Sequence, residues 1–256
     1  MPAYPESMRL AARSLWRRPV LTAAAILTIA LGIGTNTALF GVVYSILLRS
    51  LPFRDPSRLV QIWETHPALP QLQVTAPDFE DWRGQAHSFE QVAAYTLSAM
   101  NTATLLGQGE PATVHATMVS SNLFPLMGIQ PFAGRSFNQS EEAAKQHVAL
   151  LSESLWRRKF GADPTIVGRQ IRLQTESFQV IGIIPQREAF PEWADLWIPL
   201  SLMEPELQTT RKYHPLEVVG RLKPSVSVEQ AQTEIQTIAR RLAQAHPRRT
   251  QRLARM

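Results

Sequence analysis

The chain has 256 residues, of which 45% are hydrophobic and 18% charged, enough for one sizeable domain or two small ones and too apolar for global disorder. The net charge of +5 and pI near 10.0 raise the question of nucleic acid, but the Arg residues are scattered and their two densest groups sit at the chain ends. The absence of cysteine excludes disulfide frameworks, Cys-based zinc sites, iron–sulfur clusters and thiol nucleophiles, and leaves the compartment open.

In chain order, residues 6–18 place Leu10, Ala11, Leu15 and Trp16 on one side and Arg9, Arg13 and Arg17 on another. The pattern suits an amphipathic segment over 1–19 lying on the cytoplasmic membrane surface. From Val20 to Leu48 no residue is charged. A helix of that length reaches about 43 Å at about 1.5 Å per residue, against a hydrocarbon core of about 30 Å, so a transmembrane helix is predicted over 20–48. A cleaved signal peptide has a shorter apolar core. Arg17-Arg18 hints at a twin-arginine signal, but Pro19 follows directly and the run is too long. A buried core helix is the remaining alternative. Arg9, Arg13, Arg17 and Arg18 before the span, against Arg49, Arg54 and Arg58 after it, favour a cytoplasmic N-terminus by a narrow margin.

Within the span, Ala30, Gly34 and Ala38 recur at every fourth position and make a small-residue stripe suited to close approach of another helix. Asn36, between Thr35 and Thr37, is costly against lipid and is expected to face protein. Ala30, Gly34, Asn36 and Ala38 are therefore the candidate helix-packing residues. Gly32-Ile33-Gly34 is similar to a dinucleotide loop, but no strand precedes it and it lies in an apolar run.

Beyond Leu51-Pro52 the composition becomes globular. Arg58 to Trp63 alternates like a strand, and His66 to Pro77 reads as a loop. Asp78 to Arg83 reads as a short helix with Phe79 and Trp82 on one side, and Ser88 with Gln91 fits a capping box opening another. Val92 to Leu106 and Thr113 to Val119 read as strands. Asn122 to Met127 is a helical turn closed by Gly128. Val148 to Leu151 is a strand, after which Ser152 caps a helix running to Phe160, with Gly161 at its stop. Arg169 to Gln174 and Phe178 to Ile184 form a hairpin around Thr175-Glu176-Ser177. Trp193 to Leu200 and Glu217 to Leu222 are further strands. Ser227 and Gln230 open the last helix, with Val228, Ala231, Ile235, Ile238, Ala239 and Leu242 on its apolar side. Strands outnumber helices and the predicted class is α+β, with no exact internal repeat. Residues 247–256 carry four Arg and no apolar period, and read as a basic tail.

No catalytic, cofactor-binding or metal site emerges. HExxH, GxSxG and a Walker loop are absent, and the six His are single and far apart. Asp78, Glu80 and Asp81 form an acidic trio that reads as a solvated helix face with an N-terminal charge preference. Trp156-Arg157-Arg158-Lys159 reads as packing beside a basic exposed face.

Five blocks, in order, carry a resemblance. LGIGTNTALFGVVYSILLRSLPFRDPSRLVQIWE (31–64) resembles the first span and its exit in MacB-like ABC transporter permeases, especially the acidobacterial-type duplicated permeases. PDFEDWRGQAHSFEQVAAY (77–95), VSSNLFPLMGIQPFAGRSF (119–137), VALLSESLWRRKFGADPTIVGRQIRLQTESFQVIGIIP (148–185) and RLKPSVSVEQAQTEI (221–235) resemble successive blocks of the periplasmic core domain. The resemblance spans about residues 8–245. It implies one membrane helix and a mixed α+β periplasmic core domain over 52–246, at the bacterial inner membrane. In such permeases three more helices follow, and a separate ABC ATPase subunit drives motion that serves export or efflux. The implied partners are that ATPase, the remaining permease helices or a second permease copy, and the lipid membrane; no nucleic acid, cofactor or enzymatic activity is implied. No further apolar span follows Leu48, so the resemblance and the tail over 247–256 together raise the expectation of a truncated or frameshifted frame. The alternative is a single-pass binding or sensor module with an extracytoplasmic recognition domain.

Overall fold

The computed structural model describes residues 19–43, 53–66, 69–97, 102–107, 110–245 and 253–255. Two units are present, residues 1–51 and 52–256. In the first, α1 (Pro19–Val43) is a 25-residue helix opened by Pro19, whose missing N–H is no loss in a first turn. It measures about 37 Å. Among residues whose side chains are described, no helical stretch is both long and apolar enough to cross a membrane; the longest unbroken run of them in α1 is 26–37. The transmembrane helix expected over 20–48 is thus not established by the structure. Its last residues, 44–48, and the amphipathic segment over 1–18 lie outside the described residues.

The second unit begins with Phe53 and a 3-10 turn over Pro56–Arg58, then β1 (Leu59–His66) and β2 (Leu69–Leu72). β2 falls where a loop was expected; it pairs with the end of β1, a place where Pro70 is tolerated. α2 (Ala76–Gln85) starts two residues before the expected Asp78, because Thr75 accepts the Asp78 N–H as its cap. The helix expected to open at Ser88 is instead β3 (Phe89–Thr96). The Ser88 N–H is held by the Glu234 carboxylate at 2.8 Å, and Val92, Ala93 and Ala94 are buried on alternating faces, so tertiary pairing overrides the local cap. The long strand read over 92–106 is two strands, β3 and β4 (Thr102–Leu106).

β5 (Ala112–Val119) and α3 (Leu123–Met127) follow as expected, α3 closed by Gly128 at φ +77°. β6 (Ala133–Gly134) and α4 (Gln139–Ala143) were not expected, although Asn138 and Glu141 form a capping box that the sequence contains. β7 (Val148–Ser152) leads into α5 (Glu153–Phe160), capped by Ser152 and stopped at Gly161. β8 (Gln170–Leu173) and β9 (Glu176–Ile184) form the hairpin, with its turn one residue earlier than read. β10 (Leu196–Pro199) is shorter than read at both ends, since Trp193 lies in a turn and Asp195 in a bend, and Leu200–Leu202 coil into a 3-10 turn. Then come α6 (Pro205–Thr209), β11 (Leu216–Leu222), α7 (Val228–Ala245) and β12 (Leu253–Arg255). Part of the basic tail is thus a strand.

These elements make two connected substructures. β3, β11, β1 and β12 form an antiparallel sheet in that order. It interleaves two βαβ units, β1-α2-β3 and β11-α7-β12, the split βαβ arrangement. One face of the sheet buries Ile62, Val92, Ala94 and Val218 against Phe79 and Trp82 of α2 and Ala231, Ile235 and Ile238 of α7. Val228, expected in that stripe, is 41% exposed, since the first turn of α7 lies beyond the buried part.

Residues 97–215 lie between β3 and β11. Within them β4, β5, β10, β7, β9 and β8 pair in a closed ring, the parallel β5–β10 pairing completing it. Ring closure satisfies the edges that an open sheet leaves bare. Residues from all six strands share one core, among them Leu105, Val114, Leu151, Ile171, Val180 and Leu196. The alternate residues Val148, Leu150 and Ile181 turn outward into a seam with Ala93 and Val219 of the sheet, and α3 fills that seam with Leu123, Phe124, Leu126 and Met127.

Candidate functional site

Three regions of the structure are candidates. The first is α1. Successive helical residues turn by about 100°, so Ala30, Gly34 and Ala38 share one face, while Asn36 lies about 200° from Gly34. Asn36, expected to face protein, thus lies on a different face of α1 from the stripe. Ala30, Gly34 and Asn36 are exposed, and a Cβ at Gly34 would meet nothing within 4 Å. The side chain of Ala38 lies outside the described set. Thr35 donates its hydroxyl to Leu31 O at 2.8 Å, so the helix itself satisfies it.

The second is the lead-in to the folded unit, Phe53–Arg58. Arg221, on β11, is only 2% exposed. Its Nε and Nη2 donate to Leu126 O at 2.9 and 2.7 Å, its Nη1 to Asp55 O at 3.2 Å, and its Nη2 also to Arg54 O. Burial, with Arg58 and Arg54 close by, pulls its pKa below the usual guanidinium value. Asp55 stands in the left-handed region at φ +42°, and the Arg58 guanidinium bonded to it lowers its carboxyl pKa. The sequence held no clear signal: strand alternation puts Arg221 on the same face as Glu217 and Val219, the more polar face of β11.

The third is a half-buried ion cluster. Arg211, in the loop before β11, bonds Asp78 and, at 2.6 Å, Asp81. Glu64 of β1 accepts the Thr75 N–H at 3.1 Å and lies 3.3 Å from His214 Nε2. Burial first, and then the neighbouring Glu64, push the Asp78 pKa up to about 6. Only part of the acidic trio is a solvated face: Asp78, in the first turn of α2, and Asp81 turn to Arg211, while Glu80 is exposed and pairs with Arg83 at 2.5 Å. Elsewhere, Trp156 donates its indole N–H to Asp163 O, while Arg157 and Arg158 pair with Glu153 and Asp195, in line with the packing reading. Among the described residues no group of three or more His, Cys, Asp and Glu is arranged to hold a metal ion.

A family model described as the MacB-like periplasmic core domain matches residues 22–238. The macrolide export ATP-binding/permease protein MacB of Burkholderia thailandensis is 27% identical over 121 residues, which take in 46% of this chain and 18% of that protein. Three solved structures share the fold. A permease domain from Porphyromonas gingivalis superposes with a TM-score of 0.63 at 17% identity, covering 79% of this chain and 90% of its own. The periplasmic region of MacB from Actinobacillus actinomycetemcomitans gives 0.58 at 15% identity, covering 77% and 88%. The extracellular domain of the ABC-type transporter YknZ from Gram-positive bacteria gives 0.56 at 16% identity, covering 77% and 98%. With residues 22–238, most of the chain, matched by the family model, the chain belongs to the MacB-like periplasmic core domain family, a component of ABC transporter permeases.

Proposed function

We propose that this chain is the N-terminal part of a MacB-like ABC transporter permease subunit. In this reading the apolar run over 20–48 crosses the bacterial inner membrane with its N-terminus cytoplasmic. The domain over 52–246 works on the periplasmic side. ATP-driven motion of a separate ATPase subunit is conveyed through the membrane helices to that domain and serves export or efflux. The observation that carries the reading is the family match over 22–238, which takes in most of α1 together with the folded unit. Val20, Leu27 and Leu31 of α1 are exposed, as suits a lipid or helix environment. Ala30, Gly34 and Ala38 would then pack on the remaining permease helices or on a second copy.

The chain has no cysteine, so single introduced ones report topology cleanly. Ser7→Cys should react with a membrane-impermeant maleimide only after permeabilisation, and Gln146→Cys in intact spheroplasts. Labelling of both positions from the same side removes the single-crossing topology. An ATPase subunit should co-purify with the wild type. Gly34→Leu should weaken that association or the one with other permease helices, and unchanged co-purification would count against the stripe. A monomeric product that retains no ATPase would favour a single-pass binding module instead.

A further inference from the structure

We infer that Arg221 is a positioning residue that clamps the lead-in segment Phe53–Arg58 onto the C-terminal end of α3, so that displacement of this segment loads the seam between sheet and ring. What such a displacement would serve rests on the transport reading above; the clamp itself stands on the geometry.

Among the described residues, the Arg221 hydrogen bonds all go to main-chain carbonyls, those of Arg54, Asp55 and Leu126. Asp55, the acid beside it, is bonded instead by Arg58 at 2.8 Å. A guanidinium buried on carbonyls is a poor device for stability, and an apolar side chain of similar volume would cost less to bury. It achieves what an apolar residue would not: one planar fork joins two chain segments. Other contacts press the same segment to the same place. The Arg54 N–H donates to Met127 O at 3.0 Å. Gly128 lacks the Cβ that would stand 2.6 Å from the Arg54 Cβ. Arg58 donates to Leu222 O at 3.0 Å, and the Phe53 ring meets Phe190 edge-on at 5.6 Å. α3, at the other end of the clamp, lies in the seam, with Phe124 edge-on to Trp197 of β10.

The test uses the full chain in lipid nanodiscs. Arg221→Met keeps the stem and removes the donors. Amide exchange at residues 54–58 and 126–128 should accelerate by about tenfold or more, the factor that loss of a charge-assisted hydrogen bond corresponds to. Exchange in β7 and β9 should stay as in the wild type, which separates local release from general loosening. Unchanged exchange at 54–58 overturns the clamp. Should Arg221→Met fail to fold, Gly128→Ala opens the same contact from the α3 side and is read in the same way. In the assembled complex, spin labels at Gln146→Cys and Thr237→Cys report the spacing of ring and α7 with and without ATP. The wild-type spacing should respond to ATP, and Arg221→Met should lose most of that response. A full response in the variant overturns the transmission role. A wild type that does not respond overturns the transport reading and the transmission role with it, while the exchange measurement still decides the clamp.

Discussion

Asp78 offers a test in which competing electrostatic effects can be weighed. Its carboxyl bonds Arg211, which favours the charged form, but it is buried beside Glu64, which disfavours it. Burial and Glu64 win, and the pKa rises from 3.8 to about 6. A raised pKa means that ionising Asp78 costs more in the fold than in the unfolded chain. Below about pH 4 both states hold the proton. Between about pH 4 and 6 the fold keeps a proton that the unfolded chain releases, so stability falls as pH rises, and above about 6 the deficit is complete. At about 1.36 kcal/mol per pH unit, the deficit is about 3 kcal/mol. Glu141 and Glu153 act in the opposite sense, because Arg135 and Arg157 lower their pKa values and that stability is lost on acidification. Comparison with Asp78→Asn, which resembles the protonated acid at every pH, cancels these background contributions. The stability of the variant relative to the wild type should rise by about 3 kcal/mol between about pH 4 and 7.5. Urea unfolding of the detergent-solubilised chain, followed by tryptophan fluorescence, measures it; Trp82 lies on the same helix. A flat difference, or one that falls as pH rises, would mean that attraction to Arg211 outweighs burial, and the reasoning would be wrong.

Three further outcomes are expected. Gly220→Ala places a methyl 2.5 Å from the buried Phe89 ring, and should cost about 1–3 kcal/mol by overpacking, read from the urea midpoint; no loss would mean that the ring has room to move. Ile235→Ala should cost about 2–5 kcal/mol, because Ile235 is fully buried between α7 and the sheet. Val228→Ala, at the exposed start of the same helix, should cost less than about 0.5 kcal/mol, and equal losses at the two sites would contradict the burial pattern. Ser152→Ala removes the cap of α5, whose oxygen accepts the Leu155 N–H at 3.1 Å; thermal unfolding should report a loss of about 1–2 kcal/mol, and an unchanged midpoint would mean that another group replaces the cap.

Features governed by near neighbours were legible in the chain. Ser152 with Gly161, Gly128 after α3, and Ser227 with Gln230 mark helix ends where the structure has them, because a cap acts within one turn. The same kind of signal misled at Ser88, where Glu234, 146 residues away, takes the N–H that a cap would have used. Asp78 and Asp81 looked like a wet surface because their partner, Arg211, lies more than 100 residues along the chain. The residues over 253–255 lack an apolar period, yet they form a strand because the far edge of β1 offers backbone groups to pair with.

The charge-free run of α1, the turn and cap residues, and the alternation of apolar side chains follow from the order of amino acids, since each depends on chemistry repeated over a few positions. The interleaving of two βαβ units, the closure of six strands into a ring, and the burial of Arg221 between two distant segments do not. Those arise only when residues 97–215 fold between β3 and β11, for a pairing partner is chosen by which apolar faces can be covered together. Local propensity says that a segment can be a strand; long-range burial decides beside which strand it lies.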